Sequence, residues 1–257
     1  MDKIKFLGTA GARFVVTKQL RKSGGIWLTL DNTNVLIDPG PGSLVNCHSS
    51  RPKLNPLDLD GIILTHRHID HSNDINIMIE AMTNGGFDKK GIVFAPKDAL
   101  DDDPVILHHF RDKVEKIETL NEKKNYTIGN FSFSTSLYHD HGVDTFGLNI
   151  FGKNITISLI TDTRYIPGLE SNYTGDIQII NVVLLEKKEH IMHLSIDDAV
   201  KIIELNKPKL SILTHFGMKI IKAKPWEIAK DISEKTGLNV IAASDGMEID
   251  LDKYRNV

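Results

Sequence analysis

Six consecutive residues, His66-Arg67-His68-Ile69-Asp70-His71, limit what this chain can become more than any other feature of it. They follow Gly61-Ile62-Ile63-Leu64, a short continuous apolar run that reads as a strand buried on both faces. The chain leaves that strand at Thr65 and at once presents three imidazoles and a carboxylate. The pattern recurs. Asp162 follows the apolar Ile155 to Ile160, His215 follows Leu210 to Leu213, and His139 and His141 come soon after a strand that begins at Phe131. Strand ends are rigid, and loops that leave one edge of a sheet meet in one place. The expectation is an α/β fold with a His/Asp centre at a sheet edge.

Imidazole and carboxylate without thiolate suit Zn, Mn or Fe. One catalytic ion of this class takes about four ligands and keeps one position open. Up to eight candidates are present, too many for one ion and suited to two. Alternate residues of an extended loop point the same way, so His66 and His68 grip one ion. Asp70 and His71 then face a second, and a carboxylate such as Asp162 bridges the pair. Two such ions share a water, lower its pKa and make hydroxide near neutral pH. His48, His108, His109 and His190 have no partners in register and read as solvated or hydrogen-bonded side chains. His193 lies beside Ser195, where a helix begins.

The remaining elements fit one α/β unit over residues 1–257. Ile26 to Leu30 and Val35 to Ile37 flank Asp31-Asn32-Thr33-Asn34 as a hairpin. Ser72 reads as the cap of a helix running through Ile75, Ile79 and Met82 to Gly85-Gly86. A weaker helical stretch spans about 105–113. Phe146 to Phe151 and Ile155 to Ile160 pair across Gly152-Lys153-Asn154. Ser195-Ile196-Asp197-Asp198 is a capping box, and Pro225 opens a helix that Gly237 closes.

The net charge of −3 argues against an extended nucleic-acid surface. With a single cysteine, Cys47, no intrachain disulfide forms, which suits a reducing compartment. No apolar run has the length of a signal peptide or a membrane span, so a cytoplasmic protein is expected.

Thr65-His66-Arg67-His68-Ile69-Asp70-His71 resembles the defining motif of the metallo-β-lactamase superfamily, and other landmarks follow in order. Ile37-Asp38-Pro39-Gly40 resembles its early strand-end Asp. The segment from His141 to Gly147 resembles its third motif, Asp162 its bridging Asp and Thr214-His215-Phe216 its last His. The resemblance implies a four-layer αββα sandwich with two divalent metal ions, zinc or else Mn or Fe, at one edge. It implies His66, His68 and His141 on one ion and Asp70, His71 and His215 on the other, with Asp162 between and Asp38 ordering the site from behind. His141 is preferred to His139 because of the Gly-Val-x-Thr-x-Gly that follows it.

Within the superfamily the chain looks most like the phosphodiesterase branch that includes ribonuclease Z and small cyclic-phosphate hydrolases. His193-Leu194-Ser195 resembles that branch's His for leaving-group protonation, and Ser244 to Glu248 resembles its C-terminal end. Two departures stand out. The interval from His141 to Asp162 has no room for a tRNA-gripping arm, and Asp74 stands where the family often has Gly. The expected activity is hydrolysis of a small, cyclic or nucleotide-like phosphodiester by a metal-bridging hydroxide. Asp70 and His193 are the candidate catalytic residues. The rivals are a lactone, thioester or amide hydrolase of the same fold and a non-hydrolytic metal-binding or redox protein. A homodimer is compatible with the sequence, which carries no interface signature.

Overall fold

The computed structural model describes residues 1–101 and 103–256. Its first sheet contains β1 (Lys3–Phe6), β2 (Ile26–Leu30), β3 (Thr33–Ile37), β4 (Gly61–Ile63), β5 (Ile92–Ala95), β6 (Lys116–Thr119) and β14 (Glu248–Asp250), in the order β14-β1-β2-β3-β4-β5-β6. The second contains β7 (Asn125–Ile128), β8 (Phe131–Tyr138), β9 (Phe146–Gly152), β10 (Ile155–Ile160), β11 (Ile177–Asn181), β12 (Leu210–Thr214) and β13 (Val240–Ala242), in the order β13-β12-β11-β10-β9-β8-β7. The helices are α1 (Ala12–Thr17), α2 (Ser43–Ser49), α3 (Ile69–Ser72), α4 (Ile75–Met82), α5 (His108–Arg111), α6 (Ile196–Asn206), α7 (Met218–Lys222) and α8 (Pro225–Thr236).

Alternation along the strands builds the layers. In β10, Ile155, Ile157 and Leu159 point into the core shared with Leu28, Val35 and Ile63 of the first sheet. Ile160 points the other way, beneath Ala199, Ile202 and Ile203 of α6 and Ala229 and Ile232 of α8. On the first sheet, Ile62 and Leu64 face Ile75, Met78, Ile79 and Met82 of α4, whereas Ile63 faces the second sheet. Strands apolar on both faces demand cover on both faces, and helices supply the outer layers. The result is the expected αββα sandwich.

Each sheet is antiparallel in one part and parallel in the other. Strands β3 to β6 run parallel, as do β10 to β13. The ends of β3, β4, β10, β11 and β12 therefore carry the chain to one edge.

Several local readings differ. The hairpin turn is only Asp31-Asn32, both at positive φ (49° and 60°), as a two-residue type I′ turn requires. Ser72 ends the short α3 and donates to the Arg67 carbonyl; α4 begins after Asp74, so Ser72 caps nothing. The helical stretch near 105–113 shrinks to the four residues of α5, none of them buried. The capping box at Ser195 and the Pro225–Gly237 limits of α8 stand as read.

Candidate metal centre

Asp38 leaves β3 at a positive φ of 54° and fixes the loop after β4. Its Oδ1 accepts from the Thr65 backbone at 2.7 Å, and its Oδ2 accepts from Thr65 Oγ1 at 2.8 Å. His71 Nδ1 lies 2.9 Å from the same Oδ2. A Cβ on Gly40 would stand 2.0 Å from the Asp70 carbonyl oxygen, so only glycine lets the turn after β3 press against the His-rich loop.

Around this support the structure gathers His66, His68, Asp70, His71, His141, Asp162, His193 and His215. The ligand atoms of His66, His68 and His141 lie within 4.8 Å of one another, and so do those of Asp70, His71, Asp162 and His215. One atom joins the groups. Asp162 Oδ2 lies 3.3 Å from His215 Nε2, 3.5 Å from both His71 Nε2 and His141 Nε2, 3.6 Å from His193 Nδ1 and 3.9 Å from His66 Nε2. Asp70 Oδ2 stands 3.6 Å from His215 Nε2 and 3.8 Å from His71 Nε2.

Most of these distances exceed those of good hydrogen bonds. They match donors that share an ion: two nitrogens each about 2.0–2.1 Å from a tetrahedral zinc stand roughly 3.3 Å apart.

Proton bookkeeping supports the same conclusion. A carboxylate only accepts, so His71 donates through Nδ1 to Asp38. His141 donates through Nδ1 to the Met192 carbonyl at 2.8 Å. Thr65 gives its hydroxyl proton to Asp38, so His66 Nδ1, 3.1 Å from Thr65 Oγ1, is the donor there. Each ring then turns its Nε2 inward, where that of His141 meets His68 Nδ1 at 3.0 Å. Among the described residues, the Nε2 atoms of His66, His71 and His215 are buried and without a hydrogen-bond partner. Buried polar atoms normally find partners, and three orphaned imidazole nitrogens around one carboxylate suit the ligand set of a cation. The residues present fit a divalent metal.

Electrostatics agree for most of the centre and run the other way at His71. Burial alone would lower the His71 pKa, but the charges of Asp162, Asp70 and Asp38 carry it well above the ordinary imidazole value. Burial would raise Asp162, yet His215, His193 and His71 hold it well below the usual carboxylate range. Burial lowers His66, His68, His141 and His193. The centre disfavours protons on most imidazoles and keeps its carboxylate charged, the protonation states metal ligands need.

His139 takes no place among these ligand atoms. It donates through Nδ1 to the Asp162 carbonyl at 3.1 Å and accepts through Nε2 from the Tyr173 hydroxyl. Burial drives its pKa down to about 4, which keeps it neutral in that role.

Sequence reasoning missed Asn181, which donates to Asp162 Oδ1 at 2.9 Å and leaves Oδ2 free for the centre. Its signal was its place at the end of β11, beside two ligand-bearing strand ends. It also missed Thr161, 3.2 Å from Thr65 across the two sheets.

The family model for the beta-lactamase superfamily domain matches residues 33–216. The chain belongs to the metallo-β-lactamase superfamily. The superfamily's motif order, from Asp38 to His215, is the order in which the strand ends deliver the site. MJ1374 of Methanocaldococcus jannaschii, itself uncharacterized, is 28% identical over 264 residues, covering 98% of this chain and 97% of that protein. Ribonuclease Z of Thermoplasma volcanium is 27% identical over 159 residues, which cover 60% of this chain and 49% of that enzyme. Among solved structures, the metallo-β-lactamase fold protein YhfI of Bacillus subtilis superposes with a TM-score of 0.80 at 18% identity, over 96% of this chain and 98% of that one.

Proposed function

We propose that this chain is a binuclear metal-dependent hydrolase acting on a small phosphodiester, cyclic or nucleotide-like. The observation that carries the reading is Asp162 Oδ2, ringed by five imidazole nitrogens between two groups of donors. In this reading residues 1–257 act as one unit. His66, His68 and His141 hold one ion, and Asp70, His71 and His215 hold the other with Asp162 between. The all-imidazole and carboxylate donor set favours zinc and also suits Mn or Fe. Two such ions, when bound, make water acidic enough to react near neutral pH and offset the charge of the phosphoryl oxygens.

The chain's own groups do the rest. Asp70, half-open at 16% side-chain exposure, orients the attacking water from the His71 and His215 side. Asn181 and His139 clamp Asp162 from its other oxygen and from its backbone. His193, also 16% exposed at the rim, delivers a proton to the departing oxygen. The similarity to ribonuclease Z supports a phosphodiester over a carboxylic ester.

A panel of bis(4-nitrophenyl) phosphate and 4-nitrophenyl butyrate tests the bond. Cleavage of the phosphodiester is expected; cleavage of the carboxylic ester alone would favour a lactone, thioester or amide hydrolase. The grouping of His193 with His141 and Asp162 also supports a second reading, in which His193 is a ligand. His193→Ala separates the two. A proton donor's loss lowers turnover on a poor leaving group by roughly 10²–10⁴-fold and spares the metal, whereas a ligand's loss lowers metal content.

A further inference from the structure

Beside the centre the molecule opens into a cleft of about 750 Å³, with His68, His141 and His193 along its floor. That volume is far more than a phosphate needs and falls in the range of sites for whole small molecules. The walls come from α1, from residues 183–192 and from the start of α7. They are lined with apolar side chains, among them Phe14, Leu185, Ile191, Met192 and Met218. Phe14 is the large apolar side chain of α1 that stays out of the core. Val15 and Val16 turn into the protein at 1% and 8% exposure, whereas Phe14 stands 62% exposed on the cleft wall.

Three cations also line this space. Lys219 is engaged by Glu186 at 3.3 Å. The side chains of Arg13 and Lys188 make no hydrogen bond or ion pair among the described residues.

The two kinds of wall impose a joint requirement on the ligand. A bare or sugar phosphate would satisfy the cations and leave Phe14 and the two methionines wet. An aliphatic tail would cover the apolar wall and leave Arg13 and Lys188 unpaired. Phenylalanine and methionine are side chains that pack well against a flat ring, through stacking and through thioether–aromatic contact. Guanidinium and ammonium groups bind phosphate oxygens.

We propose that the cleft seats a nucleoside-type portion of the substrate, its planar ring against Phe14 and a further phosphate carried on it toward Arg13 and Lys188. The proposal deepens the phosphodiester reading above and rests on it. Phe14 and Arg13 are then specificity-determining residues that touch the substrate away from the scissile bond.

Equilibrium titration of the purified, metal-containing protein tests this without turnover. The probes are adenosine 5′-monophosphate and hexyl phosphate, which offer the same phosphate to the metal centre and differ in the group that enters the cleft. Adenosine 5′-monophosphate is expected to bind at least tenfold more tightly. Phe14→Ala should weaken it about tenfold, the loss typical of one base–aromatic stack, and Phe14→Trp should retain it. Arg13→Ala should weaken adenosine 5′-diphosphate, whose second phosphate reaches the cations, and flatten its salt dependence. Hexyl phosphate binding equally or more tightly, or Phe14→Ala without effect, overturns the assignment. If discrimination holds while the phosphodiester panel shows no cleavage, the ligand class stands and the proposed chemistry falls.

Discussion

At the scale of single residues, the site is built from protons pointed outward. Asp38, Thr65 and the Met192 carbonyl each take the Nδ1 proton of a ring whose Nε2 faces the centre. Asp38 acts on the centre only through His71 and Thr65, so it is a positioning residue. Asp38→Asn should lower metal affinity by 10- to 100-fold, the range seen when such outer partners are removed. Metal titration with a competing chromophoric chelator reads this directly, and an unchanged affinity would remove Asp38 from the account. Cys47 supplies a second prediction, away from the site. Burial, and then the charge of Asp74, pushes its thiol up to about 12 from an ordinary 9.0. A folded state that keeps a proton the unfolded chain has lost is stable below pH 9 and loses stability as pH rises from 9 toward 12. The loss is at most about 1.4 kcal/mol per pH unit. Cys47→Ala should flatten that part of the stability–pH curve, measured by urea unfolding; parallel curves for the two proteins would contradict the assignment.

At the scale of elements, α6 is held at its start by a reciprocal pair. Asp198 Oδ2 accepts from the Ser195 backbone at 3.0 Å and from its hydroxyl at 2.7 Å, while the Asp198 backbone donates to Ser195 Oγ at 3.3 Å. Ser195→Ala should cost about 1 kcal/mol of stability with an unchanged denaturant slope. A change below a few tenths would mean the cap is replaced by solvent. This box was legible in the sequence because all of its parts lie within four residues. The apolar strands were legible too, since runs such as Ile155 to Ile160 show their burial on both faces directly. Ser72 misled because a cap needs its side chain turned to the following turn, and here that hydroxyl is used on Arg67 behind it. In the site, His66, His68, Asp70 and His71 could be read because they crowd six positions after one strand. Asn181 could not, because its partner Asp162 belongs to a neighbouring strand, and only the parallel β10–β11 pairing brings them together.

At the scale of the whole molecule, neither sheet owns the centre. Asp38 and the His66 to His71 loop come from the first sheet, and His141, Asp162, Asn181 and His215 from the second. A ligand bound by both halves only in the folded state stabilises the fold by mass action, by about 2.7 kcal/mol at a hundred times its dissociation constant. Chelation should therefore lower the melting temperature of the wild type, and restoring zinc should raise it again; a melting temperature indifferent to chelator would place the metal outside the folded core. The most direct measurement is metal content per chain, by elemental analysis of protein purified without chelator, for wild type and Asp162→Ala. About two ions in the wild type and a clear fall in the variant are predicted. One ion or none in the wild type, even after zinc or manganese is supplied, would contradict the two-metal centre.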